Sequence, residues 1–586
     1  MSGRPKATPK KPKAAKEAEK EARQVPTPVL VRNLSRAAAF LIIAGIASPI
    51  SQLNLSPVYG SIPASLKHQR AMELTAVATL TSRNALRKMF PTNVTSYISV
   101  IAYWTPVIQF LLFPFSSQLG IDYGPLAIEL VTYFPLFLIS CFAASELIDT
   151  VDLPRRFRLT NGAAQAIISV FCYFIVTSIS KFVASILPGY IGTHLVFSRL
   201  GAQTFIGTVS AFLAPSSICL LGVPAIAHTL WANPHYPTEA AMQRVNTTLF
   251  ENHNYTILAR QESLTGYVSV LENIDDQAFR LMRCDHSLLG GEWLVTPFAA
   301  SKGQRQRESI FSVFVLLEAV RLVKNPRPSV DPPIPDSQKS ALVIGLGIGT
   351  APNALISHNI NTTIVELDPV VHHYATKYFS LSPNHTAVID DAVTYVRDTS
   401  LSNPGSYDMI IHDVFTGGAE PVWLFTQEFF QGLSDLLKDD GGAVAINYAG
   451  DLALGSTRLV LNTIHSVFPA CRLFRDTPRA ADWKAGDSDF INMVVFCVKN
   501  DYGKGKDAVR FREAGHEDWR GSIARRNFLQ PRDDLEIPYV YTKPEEGPEV
   551  MRRKDVGELE KYHKQGAVSH WKIMRSVLPD GVWETW

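Results

Sequence analysis

Apolar residues come in long unbroken runs between about residues 34 and 232. Five stand out: AAAFLIIAGIASPI, SYISVIAYWTPVIQFLLFPF, PLAIELVTYFPLFLISCFAA, AAQAIISVFCYFIVTSIS and QTFIGTVSAFLAPSSICLLGVPAIA. Crossing a bilayer takes about 20 such residues in a helix, and several of these runs reach that length. FVASILPGYIGTHLVF, just after Lys181, reads as a further span or a re-entrant piece, so five spans are expected, give or take one. Past residue 255 the runs shorten and alternate with turn residues. ILARQESLTGYVSVLENIDDQAFRLMRCDHSLLGGEWL predicts short strands with turns at Leu264-Thr265-Gly266, at Asn273 to Asp276 and at Gly290-Gly291. A helix, ESIFSVFVLLEAVRLV, and a proline-rich linker, NPRPSVDPPIPDSQKS, follow.

Beyond the linker the pattern becomes strand, glycine loop, helix, strand. Ala341 to Ile344 is a short apolar run that meets Gly345-Leu346-Gly347-Ile348-Gly349, and Glu366 lies 21 residues past Gly345 at the end of a second run, TTIVE. This is the spacing of a nucleotide-binding βαβ unit, in which glycines let the backbone approach the ligand and the acid takes the ribose hydroxyls. Asp390-Asp391 follow a third strand, Asp413 ends a fourth (YDMIIHD), and GGAVAIN reads as a fifth. Helix capping is the competing use of Asp390 and Asp391, and turn capping that of Asp413. Alternation along the strand turns His412 away from Asp413, into the core.

A chain of 586 residues exceeds one ordinary core, and its formal net charge of +2 gives no sign of nucleic-acid binding. Residues 1–23 carry eight Lys/Arg against Glu17, Glu19 and Glu21, which predicts a solvated basic tail rather than a transit peptide. The six cysteines are scattered, show neither metal spacing nor a disulfide framework, and are expected to pack as apolar residues. Glu129 and Lys181 are the ionisable residues nearest the membrane interior, both placed near span ends where they can snorkel. The basic tail favours a cytosolic N-terminus, but Lys67, Arg70, Arg83, Arg87 and Lys88 blur the rule. Asn246 and Asn254 begin sequons that matter only on the lumenal side; use of a cytosolic metabolite would put the soluble half in the cytosol.

The order of a small β-hairpin unit, a helix and a Rossmann-like sheet, together with VIGLGIGT, VELDP, DDAVTYV, YDMIIHDVFTGGAEPVWLFTQEFF and FINMVVFCV, resembles the spermidine and spermine synthases over about residues 255–500. That family is a branch of the S-adenosylmethionine-type methyltransferase fold. The resemblance implies that Gly345, Gly347 and Gly349 line the methionine-derived arm of decarboxylated S-adenosylmethionine or S-adenosylmethionine. Glu366 would take the ribose, and Asp391 the adenine amino group, with Asp390 in place of a usual glycine. Asp413 would act as the base toward an amine, with no metal. Three positions depart from the family: Val414 follows Asp413 where a second acid is usual, Ile348 replaces an acid of the glycine loop, and Ile310-Phe311-Ser312 replaces Tyr-His-Glu. These departures leave a dicationic polyamine short of counterions.

The expected organisation is a disordered tail (1–33), a membrane region (34–232), a β-hairpin unit with a helix (255–325), a Rossmann-like domain (335–500) and an extension (501–586) whose tryptophans need burial. The expected protein is a multi-pass membrane transferase that moves an aminopropyl or methyl group to an amine or polyamine acceptor, with the lipid bilayer as a further partner and a homodimer formed through the soluble domain. The rival reading is a non-catalytic metabolite sensor or membrane scaffold.

Overall fold

The computed structural model describes residues 26–89, 94–324, 334–414, 420–479, 483–484, 489–500, 509–539, 541 and 547–586. The expected tail lies outside this set up to residue 25, but from Thr27 the chain is helical. Helices α1 (Thr27–Tyr59), α2 (His68–Thr81), α3 (Ser96–Leu112), α4 (Ser116–Val131), α5 (Tyr133–Ile148), α6 (Asn161–Ile186) and α7 (Arg199–Leu213) form a bundle, with α5 and α6 packed on α1.

Among the described residues four helical stretches are long and apolar enough to cross a bilayer: Thr27–Tyr59, Ser96–Val131, Tyr133–Val151 and Asn161–Gly189. Three expectations change here, each at a proline. PLAIELVTYFPLFLISCFAA is no single span: it divides between α4 and α5 at Thr132 (φ −121°, ψ −79°), three residues before Pro135. The fifth run breaks where Ala214 (φ −136°, ψ 65°) leaves the helix ahead of Pro215, because a proline excludes helical geometry in the residue before it. After Lys181, α6 stops at Ile186 and Pro188 sits in a 3₁₀ turn, so no further span follows.

Glu129 also differs from expectation. It is buried, accepting a hydrogen bond from Ser51 Oγ at 2.8 Å and lying 2.8 Å from His68 Nδ1. His68 Nε2 lies 2.8 Å from Ser48 Oγ, which in turn accepts from Ser180 Oγ at 2.8 Å. This polar knot ties α1, α2, α4 and α6 together, while Lys181 is exposed. Ile167, Val170, Phe171, Phe174 and Phe182 leave α6 with an exposed apolar flank.

A five-stranded antiparallel sheet follows: β1 (Tyr255–Ser263), β2 (Gly266–Asn273), β3 (Phe279–Cys284), β4 (Ser287–Trp293) and β5 (Glu308–Ser309). Gly290 and Gly291 lie inside β4 rather than in a turn. A side chain on Gly290 would strike Ile348, and one on Gly291 would strike Leu281. The expected long helix begins only at α8 (Ser312–Leu317), because Glu308 is drawn into the sheet. It is held there by Ser522 Oγ (2.5 Å) and the N–H groups of Ile523 (2.9 Å) and Ala524 (3.2 Å).

The second sheet is built from β6 (Ser340–Ile344), β7 (Asn361–Glu366), β8 (Thr386–Ile389), β9 (Met409–His412), β10 (Ala443–Asp451), β11 (Ala470–Arg475) and β12 (Phe490–Val498), with the short β13 (Glu536–Ile537) on one edge. Its order is β13-β11-β12-β10-β9-β6-β7-β8. Counted from β6, the seven main strands run third, second, first, fourth, fifth, seventh, sixth, and the seventh is antiparallel to its neighbours. This is the Rossmann-like methyltransferase arrangement. Cys471 and Cys497 are not mere packing residues: they face each other across β11 and β12 and form a disulfide. Strand pairing, invisible in their spacing, brings them together.

The extension fastens the two halves. In α9 (His563–Val577) the Trp571 indole donates to the Val58 carbonyl at 3.1 Å, and α10 (Asp580–Glu584) buries Trp583. Arg283, 1% exposed, donates to the carbonyls of Pro57 (2.7 Å), Val582 (2.7 Å) and Asp285 (2.8 Å). Arg260 holds the Trp586 carbonyl at 3.1 Å, and Arg199 joins Leu53 O (2.9 Å) to Asp285 (3.1 Å). Arg283→Met strips a donor from the carbonyls of Pro57, Val582, Trp583 and Asp285, and each buried one left unpaired costs on the order of 1–3 kcal/mol. We expect a clearly lower Tm in detergent and earlier proteolytic release of residues 556–586; an unchanged melting profile would contradict this role of Arg283.

Candidate active site

The parallel register sets five chemically active positions along one edge of the second sheet. Ile344 pairs with Val365 and His412, Glu366 with Ile389, and Ile446 with His412. Gly345, Glu366, Asp390 and Asp413 therefore stand at the carboxyl ends of neighbouring strands, where open α/β sheets place their ligands, and Asn447, midway along β10, lies level with Asp413. Gly345, Gly347 and Gly349 have φ of +82°, +53° and +88°. A Cβ on Gly345 would collide with the Asp413 carbonyl, so glycine is required both by the backbone and by the approach of the fourth strand end.

Glu366 is 8% exposed, with Oε2 accepting from the Leu346 N–H at 3.0 Å and Oε1 from the Asp368 N–H at 2.8 Å. Burial raises its pKa to about 7, and these backbone hydrogen bonds pull the other way. Each oxygen keeps a lone pair free, which suits a ribose diol that donates twice. Asp368, fully buried, caps the helix Pro369–Tyr378 and accepts from Ser263 Oγ (2.6 Å) and Thr265 Oγ1 (2.5 Å), so the β1–β2 turn is fastened next to Glu366. Asp390 and Asp391 are exposed; Asp391 accepts from the N–H groups of Val393 (3.2 Å) and Thr394 (3.3 Å), the capping geometry that competed with ligand binding. Ile348 is buried against Gly290, so the position where the resemblance calls for an acid is apolar and filled.

Asp413, partly buried, accepts from Asn447 Nδ2 at 2.7 Å, and burial raises its carboxyl to about 6 against the pull of that bond. It can accept an N–H from a substrate and offset positive charge developing there. Val414 follows it, and Phe415, Thr416 and Gly417 lie outside the described residues. His412 is core: it packs between Phe425 and Phe429, and burial lowers it to about 4. Sequence reasoning missed Asn447, whose signal was an amide inside the apolar fifth strand, and Asp368, which the ELDP run offers as a helix cap. It also missed Tyr448, whose hydroxyl donates to Glu420 Oε1 at 2.6 Å, with His563 3.7 Å from the other Glu420 oxygen.

Residues 329–480 match the spermine/spermidine synthase domain. The N-terminal histidine N-methyltransferase of Emericella nidulans is 42% identical over 568 residues, which are 95% of this chain and 98% of that enzyme. The chain belongs to the family of that enzyme. The match spans the helical half as well as the sheet, and it makes the protein an S-adenosylmethionine-dependent transferase of the methyltransferase type. The polyamine aminopropyltransferase of Vibrio vulnificus is 30% identical over 207 residues, 33% of this chain and 60% of that enzyme. A solved probable spermidine synthase from Corynebacterium glutamicum shares 18% identity over 48% of this chain and 98% of its own, with a TM-score of 0.33.

A carboxyl raised to about 7 gives a pH signature. The unliganded fold loses stability as pH rises from the ordinary carboxylate range through 7, because the folded state holds the proton more tightly. A diol that hydrogen-bonds the anion reverses this preference. Affinity for S-adenosylmethionine is therefore expected to weaken by up to about tenfold per pH unit below 7. Glu366→Gln should bind weakly without that slope; calorimetry showing the same slope in the variant would remove Glu366 from the ribose site.

Proposed function

We propose that this protein is an integral membrane methyltransferase that moves the methyl group of S-adenosylmethionine to a nitrogen of a histidine at the start of a polypeptide. The similarity to the Emericella enzyme along nearly the whole chain carries this reading. Glu366 holds the ribose, the loop Gly345–Gly349 passes beneath the methionine arm, and Asp391 lies toward the adenine with Asp390 beside it. The sulfonium supplies an activated methyl group. Asp413 accepts an N–H of the acceptor, fixes the attacking nitrogen and offsets the charge it gains. Aminopropyl transfer to a polyamine fits less well, because Val414 and Ile348 leave the groove without its further acids.

The apolar flank of α6 and the four long apolar helices support residence in a bilayer. The disulfide Cys471–Cys497 favours an oxidising compartment for the soluble half, the opposite side from the one cofactor supply suggested. Asn254 is exposed, its Nδ2 donating to Asp275 Oδ1 at 2.9 Å on the surface, whereas the Asn246 amide is tied to the Ile257 backbone at 3.0 and 2.7 Å. On this reading endoglycosidase treatment shifts the mobility of the wild-type chain but not of Asn254→Gln; full reactivity of Cys471 and Cys497 with thiol reagents under native, non-reducing conditions would place the domain in the cytosol.

For the activity, the full chain in detergent is given S-adenosylmethionine and a peptide beginning with histidine. The expected result is a single methyl on that residue by tandem mass spectrometry, with Asp413→Asn lowering kcat by about 10²-fold or more. Transfer only from decarboxylated S-adenosylmethionine to putrescine or spermidine would overturn the proposal.

A further inference from the structure

Beside Asp413 the structure leaves one buried acceptor empty. Asn447 is 8% exposed, one N–H of its Nδ2 donates to Asp413 Oδ1 at 2.7 Å, and its Oδ1 is buried with no hydrogen-bond partner. Turning the amide over does not repair this, since it would set the carbonyl against the carboxylate. Buried carbonyls are ordinarily paired, and an empty one beside a reaction site calls for a donor brought by the ligand. Next to it the Asp413 carboxylate is a second acceptor. The pair thus sets an empty amide carbonyl and a carboxylate side by side, Asp413 at the end of β9 and Asn447 level with it on β10.

A histidine at the start of a chain offers a matching set of donors: an α-ammonium with three N–H groups and, a few bonds away, an imidazole with one. We propose that Asn447 Oδ1 receives the α-ammonium of the acceptor polypeptide, while Asp413 faces the ring. Asn447 is then the specificity-determining residue that admits a histidine only when it begins a chain. This inference rests on the function proposed above. A neutral carbonyl suits the ammonium because it binds without drawing off the proton, and it leaves the carboxylate free to offset charge at the ring.

The test compares two peptides alike except that one begins with histidine and the other with its desamino analogue, imidazolepropionyl. The wild-type full chain is expected to favour the histidine peptide by about 10- to 100-fold in kcat/KM, the worth of one hydrogen bond to a charged group. Asn447→Ala should collapse that ratio toward one, mainly by raising KM for the histidine peptide, while S-adenosylmethionine binding persists. If Asn447 acts only by propping Asp413, Asn447→Ala lowers both peptides alike and the ratio stands, which overturns the proposal. A methyl found on the α-nitrogen overturns it as well. Methylation of neither peptide by the wild type is a different failure, that of the function itself.

Discussion

Glu366 is a carboxylate withdrawn from water and held by two backbone N–H groups, one from the glycine loop and one from Asp368. Its position depends on both neighbours. The loop can reach it only because Gly345 takes a left-handed turn under the end of the fourth strand. Asp368 can offer its N–H only because its own side chain is anchored by Ser263 and Thr265 of the hairpin sheet. The first sheet thereby helps to hold Glu366 rather than standing as an appendage. Burial makes the carboxylate reluctant to ionise, and a diol donating to it would make ionisation favourable.

The helical half is joined to this assembly through arginines. The Arg199 guanidinium takes Asp285 from the β3–β4 turn and Leu53 from α1, its backbone N–H takes Glu262 of β1, and Glu262 immediately precedes Ser263. Arg283 gathers carbonyls from α1 and from the C-terminal helix. A short run of contacts thus leads from the end of a long apolar helix to Glu366. Guanidinium groups suit such a junction because their planar fork serves several carbonyls at once while staying charged when buried.

Most of the sheet was legible. The strand runs and Glu366, Asp391 and Asp413 fall where apolar stretches end, and the glycine pattern marks the first turn. Helix breaks in the bundle were written in Pro135, Pro188 and Pro215, but long apolar runs hid them. Three features came only from tertiary contact. Gly290 and Gly291 look like a turn in sequence, yet they serve close approach of Ile348 and Leu281. Cys471 and Cys497 meet because two antiparallel strands pair, and no spacing rule reaches across such a hairpin. Glu129 was read as a snorkelling acid because its partners, Ser51 and His68, lie 78 and 61 residues away. Asn447 was unread because an asparagine within a strand has many uses, and only its empty carbonyl beside Asp413 separates them.

The most direct test of this account is a cryo-electron microscopy map of the full chain with saturating S-adenosylhomocysteine. The account predicts the ribose hydroxyls on Glu366 and the sulfur over the loop Gly345–Gly349, facing Asp413 and Asn447. Ligand density elsewhere in the molecule, or a ribose out of reach of Glu366, would contradict it.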